Sequence, residues 1–232
     1  MGNEYKTLPA KSQCYVSAAR LWFSSLINEP QAAIKGSLLF LLCAIPIASL
    51  GPARLASVYY SGRRCESYIV TLKEAAAFGF GLGPRGATGA PDAAPACGIG
   101  AKGWLMGFTD MLAFMLAAGS AYALLNMDLP FALRLPYAVF FLLDIAYLAS
   151  GVYRYPAMAQ EPGAKLHLLA LRGVLMAVGG PVWSFLFFCL QLLLLIVCAL
   201  TGVGLLLIYP AGSALLSHCA YAEMVKHYAK NT

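Results

Sequence analysis

An all-α polytopic membrane protein is the fold class this sequence predicts, and three observations carry that prediction. Of 232 residues, 60% are hydrophobic and only 11% charged, where soluble domains carry roughly 25% charge. So few charges cannot cover a soluble exterior. Apolar runs of span length recur along the chain, and at about 20 residues per span there is room for about six membrane helices. The Lys and Arg residues lie between those runs, as the positive-inside rule requires.

The same composition excludes other classes. The net charge is +6, but no basic cluster is interleaved with stacking aromatics, so a nucleic-acid partner is not expected. The seven cysteines include no CxxC pair and are odd in number, and Cys43, Cys189 and Cys198 sit in apolar runs. Neither a disulfide nor a metal site is expected, and no cofactor is implied. A polar stretch with Lys6, Lys11 and Arg20 precedes the first apolar run, which does not read as a signal peptide.

Residues 1–31 read as a cytoplasmic and interfacial segment. Within it, 15–27 place Val16, Ala19, Phe23 and Leu26 on one stripe beside Trp22 and Ile27, the pattern of an amphipathic helix lying at the membrane surface. Residues 32–78 read as a first helical hairpin with an amphipathic extension. Pro46 bends its apolar helix, and Gly51-Pro52 makes the turn. If 34–60 were instead one bent helix, the spans would number five.

Charge placement favours the hairpin with both termini cytoplasmic, because only Arg54 and Arg134 then fall outside. Residues 79–103 are rich in Gly, Pro and Ala and read as a flexible cytoplasmic loop. No GK[ST] follows, so phosphate binding is not expected. Residues 104–222 supply four membrane helices: 104–125, 133–153, 182–200 and 203–221. The stretch 154–172 reads as a cytoplasmic connection, and 223–232 as a polar tail. The whole is one membrane domain. Tyr209-Pro210-Ala211 in the last hairpin echoes Gly51-Pro52-Ala53 in the first, marking Pro210 as a second structural turn residue.

Few residues could carry chemistry. A carboxylate within a span is costly, so it is a functional candidate by default. Asp144 lies near the middle of 133–153, and Asp110 is shallower. Asp144 could serve as a proton or cation site with Gln191 or His218 nearby, or simply accept hydrogen bonds from a facing helix. His218 is the one histidine placed to ligate a pigment or haem, which is not the favoured reading. HExxH and GxSxG motifs are absent, so no enzyme is expected.

The run from Leu41 through Ile45-Pro46 to Gly51-Pro52-Ala53, with Tyr59-Tyr60 and Arg63-Arg64 after it, resembles the YesL-type family of small bacterial integral membrane proteins. Tyr155-Pro156-Ala157-Met158-Ala159 and Tyr209-Pro210-Ala211 are similar to two further motifs of that family. The Gly/Pro-rich stretch 79–103 departs from it, standing where the family has an amphipathic segment with aromatic and basic positions. The resemblance implies a multi-pass protein of the bacterial inner membrane with five or six helices, often a companion of carbohydrate import systems, and it supplies no catalytic residues. The expectation is a non-catalytic accessory or structural subunit, with the lipid bilayer and other membrane subunits as partners. The alternative is a small transporter or channel with Asp144 in a polar pathway.

Overall fold

The computed structural model describes residues 11–44, 49–65, 70–82, 99–127, 130–202, 204 and 208–229. These form α1 (Lys11–Asn28), α2 (Pro30–Ala44), α3 (Leu50–Cys65), α4 (Leu72–Phe80), α5 (Ile99–Asn126), α6 (Phe131–Gln160), α7 (Leu166–Gly179), α8 (Pro181–Thr201) and α9 (Tyr209–Ala229), with no strand among the described residues. Three of them, α5, α6 and α8, are long and apolar enough to cross a membrane. At 1.5 Å per residue, α6 is about 45 Å long, well beyond a hydrocarbon core of about 30 Å.

The α5–α6 hairpin packs in the manner of helices built for lipid. The α5 face turned inward carries Ala113, Ala117, Ser120 and Ala123, while Phe114, Met115, Tyr122 and Leu125 point outward. Small residues inside and large apolar residues outside let two backbones approach closely where lipid gives no hydrophobic drive to hide the large ones. The facing half of α6 likewise exposes Phe131, Phe140, Leu142 and Leu143.

The last third of α6 behaves differently. From Ala149 to Met158 every side chain is buried, enclosed by α3, α5, α7, α8 and α9 in one apolar core that includes Leu55, Tyr153, Met158, Leu216 and Tyr221. The connection to α7 is therefore only residues 161–165, shorter than the expected 154–172, because α6 continues through Pro156 instead of ending at Tyr153. Lys102 closes this connection by donating from Nζ to the carbonyls of Pro162 (2.7 Å) and Ala164 (2.8 Å).

α1 docks on α9. Ala18 and Trp22 are buried, and Trp22 Nε1 donates to the Gly212 carbonyl at 2.8 Å. Val16, Phe23 and Ile27 remain exposed, so the stripe read from the sequence is split. Ala18 and Trp22, flanked by the half-buried Ala19 and Leu26, make the protein contact, and Val16, Phe23 and Ile27 face outward.

The expected turn at Gly51-Pro52 is corrected. Both residues belong to the first turn of α3, where proline's missing N–H is one the helix would leave unpaired anyway. Pro210 takes the equivalent place in α9. Pro46 lies outside the described residues. Gly51 is needed for a close crossing of α5. A Cβ there would stand 2.0 Å from the Gly103 carbonyl oxygen and 2.9 Å from Gly107 Cα. Gly79 and Gly100 make similar contacts, against the Pro52 and Phe80 carbonyls respectively. The glycines at both ends of the 79–103 stretch are thus helix-packing residues, with Gly81 (φ 69°) ending α4.

Candidate functional site

A buried polar cluster forms where α5, α6 and α3 meet. On α6, Tyr147, Gly151, Arg154 and Tyr155 follow at spacings of four, three and one, which puts them on adjoining parts of one helical face. On α5, Met106, Thr109 and Asp110 do the same. Arg154 has no exposed surface, and its Nη2 lies 2.9 Å from Asp110 Oδ1. Nη2 also donates to the Tyr147 carbonyl at 3.0 Å, and the guanidinium carbon stands 3.8 Å from the centre of the Tyr147 ring. Nη1 reaches the Met106 sulfur at 3.4 Å.

The second carboxylate oxygen, Asp110 Oδ2, accepts from Tyr155 Oη at 2.9 Å. Tyr147 Oη donates to Thr109 Oγ1 at 2.8 Å. Arg54 of α3 completes the group, its guanidinium 4.7 Å from the centre of the Tyr155 ring.

Two glycines make room for the arginine. A Cβ on Gly151 would lie 3.2 Å from Arg154 Nη2, and one on Gly173 of α7 would lie 2.4 Å from Arg154 Cγ. The side chain is therefore held along its length as well as at its charged end.

The chemistry is that of a charge lock. Burying an ion is expensive unless it is paired and hydrogen-bonded, and here one carboxylate meets the Arg154 guanidinium and a phenol, with a second guanidinium over that phenol's ring. Asp110 Oδ1 approaches Arg154 off the direction of a hydrogen bond, and Arg154 Nε has no hydrogen-bond partner among the described residues. The pair is thus held by charge and by the aromatic faces as much as by directed hydrogen bonds.

Of the residues singled out from the sequence, only Asp110 belongs to this cluster. Asp144 is half-buried on α6 within the lipid-facing hairpin. Gln191 donates from Nε2 to Ser217 Oγ at 3.1 Å and to the Ser213 carbonyl at 3.5 Å, joining α8 to α9. His218 lies on α9 with its ring packed against Gly62 of α3, where a Cβ would stand 2.6 Å from Nδ1. The structure therefore distributes Asp110, Gln191 and His218 over separate contacts, and the expected grouping of Asp144 with Gln191 or His218 is not among them.

Arg154, Tyr155 and Arg54 were not legible as site residues. Charge placement puts Arg154 inside and Arg54 outside. In the structure Arg54 covers the ring of Tyr155, the neighbour of Arg154, so both arginines lie at one level of the bundle. The available signal was the aromatic framing of Arg154 by Tyr147, Tyr153 and Tyr155, which is unusual for a solvated loop arginine.

A small cleft of about 50 Å³ lies elsewhere, lined by Glu29, Tyr60, Arg64, Cys65, Ala211 and Leu215 among others. Glu29 and Arg64 pair across it at 3.6 Å. Among the described residues, no group of three or more His, Cys, Asp or Glu side chains converges to hold a metal ion.

No family model, curated protein or solved structure matches this chain.

Proposed function

We propose that this protein is a non-catalytic accessory subunit of a larger membrane complex, its α5–α6 hairpin forming the surface that meets the partner. The observation that carries the reading is the contrast between the two ends of that hairpin. Its base is closed by the Asp110–Arg154 cluster, which joins α5 to α6, and Arg54 of α3 and Gly173 of α7 pack against that cluster from the bundle. In the hairpin's far half α5 packs through small residues, and both helices present large apolar side chains outward. A rigidly mounted pair of apolar helices suits helix–helix association in lipid. The resemblance of the Leu41–Ala53 region to the YesL-type family supports a bacterial inner-membrane setting and a carbohydrate transporter as the larger assembly.

The experiment is purification from native membranes in a mild detergent, with a photo-crosslinking residue at Leu142. The expected result is one reproducible adduct of defined mass that co-purifies with the chain. Recovery as a lone monomer in several detergents, without an adduct, sinks the reading.

One observation favours a second reading, a small transporter or channel. Asp144 is a half-buried carboxylate in an apolar stretch with no hydrogen bond or ion pair to another described residue, and such groups often line ion or proton routes. Asp144→Asn in proteoliposomes tests it. Loss of proton or solute flux supports the conduit, and unchanged flux removes it.

A further inference from the structure

We propose that Cys65 and Cys219 are an oxidisable thiol pair that links the end of α3 to α9 by a disulfide. The inference is independent of the accessory reading. The two residues are far apart in sequence, yet their thiols are in hydrogen-bonding contact. Cys65 is the last residue of α3 and is exposed, while Cys219 is buried within α9. A disulfide needs its two Cα atoms within about 4.4–6.8 Å. One helical turn before Cys65 the two helices are in direct contact, the ring of His218, the residue preceding Cys219, resting against Gly62 with no room for a Cβ.

The asymmetry in exposure sets the order of events. Cys65 lines the cleft with Glu29 and Arg64, so a soluble oxidant reaches it first. With a small disulfide such as oxidised glutathione as the oxidant, the Cys65 thiolate attacks one sulfur. A mixed disulfide forms on Cys65, and one glutathione leaves as its thiolate and takes up the Cys65 proton. Cys219 then loses its proton and attacks Cys65 Sγ, forming the Cys65–Cys219 bond and expelling the second glutathione, which takes that proton. Two protein thiols are oxidised and one glutathione disulfide is reduced to two thiols. The bond fixes α3 to α9 beside the cleft, so the cleft's walls become one covalent unit under oxidising conditions.

The test uses the full chain in detergent, incubated with oxidised glutathione, alkylated to block remaining thiols and mapped by peptide mass spectrometry. The expected product has lost two hydrogens, retains no glutathione and yields a single cross-linked peptide pair containing Cys65 and Cys219. Cys219→Ser is expected to stop at one glutathione on Cys65, and Cys65→Ser to take neither modification at these positions. Reduction with dithiothreitol restores the original mass. Glutathione that persists on Cys65 in the unsubstituted protein overturns the proposal. So does a cystine that joins other cysteines, or a chain that remains fully reduced while Cys65 is accessible to alkylation.

Discussion

Asp110→Ala leaves Arg154 charged, fully buried and unable to escape. Its stem is confined by Gly173, whose Cβ position would stand 2.4 Å from Cγ, and its guanidinium is held over Tyr147 at 3.8 Å. Breaking a buried pair by removing one partner costs about 3–5 kcal/mol. Tyr155 Oη loses its acceptor as well, which for a buried donor adds a penalty of about 1 kcal/mol or more. Against this, the Tyr147 carbonyl and ring continue to stabilise Arg154, so the expected loss stays at about 3–5 kcal/mol. Arg154→Met should also destabilise, since it strands Asp110, whose side chain keeps 16% exposure and is partly relieved by water. The double substitution removes both charges and should cost less than the sum of the two single substitutions, with non-additivity of about 2 kcal/mol. Unfolding followed by tryptophan fluorescence, in mixed micelles titrated with sodium dodecyl sulfate, gives all four corners of the cycle. Additive single effects, with coupling below about 0.5 kcal/mol, would refute the charge lock.

Two further outcomes follow from named contacts. Gly51→Ala drives a Cβ into the Gly103 carbonyl at 2.0 Å, where only backbone can yield, and should cost about 1–3 kcal/mol; Gly119→Ala, with nothing within 4 Å, should be neutral or stabilising by up to about 1 kcal/mol, and equal effects in the same titration would contradict the glycine-crossing argument. At the start of α4, the Thr71 backbone N–H and hydroxyl hold the Glu74 carboxyl below its ordinary value. Because the folded-state value is depressed, this support is fully present above the ordinary carboxylate range and is lost as pH falls through the folded value. Amide hydrogen exchange in α4 should therefore rise, once corrected for intrinsic rates, on going from neutral to strongly acidic pH; Thr71→Ala, which keeps the backbone N–H, should weaken that pH dependence, and Glu74→Gln should abolish it.

Much of the helical pattern was legible because it depends on local composition. The spans at 104–125, 133–153 and 182–200 correspond to α5, α6 and α8, and the helix expected at 15–27 is α1. Boundaries failed where tertiary packing overrides local cues. Tyr153-Arg154-Tyr155-Pro156 looks like the polar end of a span, yet helix α6 continues because Asp110 and the tyrosines satisfy the arginine inside the protein. The glycines of 79–103 read as flexibility, but at Gly79, Gly100 and Gly103 they permit backbone contacts that no local pattern reveals. Asp110 was found by the cost of a buried carboxylate. Its partners were not, since their roles depend on helices distant in sequence.

The sequence by itself determined that this chain is helical and apolar enough for membrane spans, because transfer of side chains from water depends on composition and on the helical period. Only the tertiary structure decided which charges meet. Arg54 and Arg154 are assigned to opposite faces by their order along the chain, and the crossing of α3 over α5 and α6 brings both to Tyr155. A span records how apolar a segment is, whereas an ion pair depends on which two segments touch, and that is fixed by close packing at Gly51, Gly103, Gly107 and Gly173.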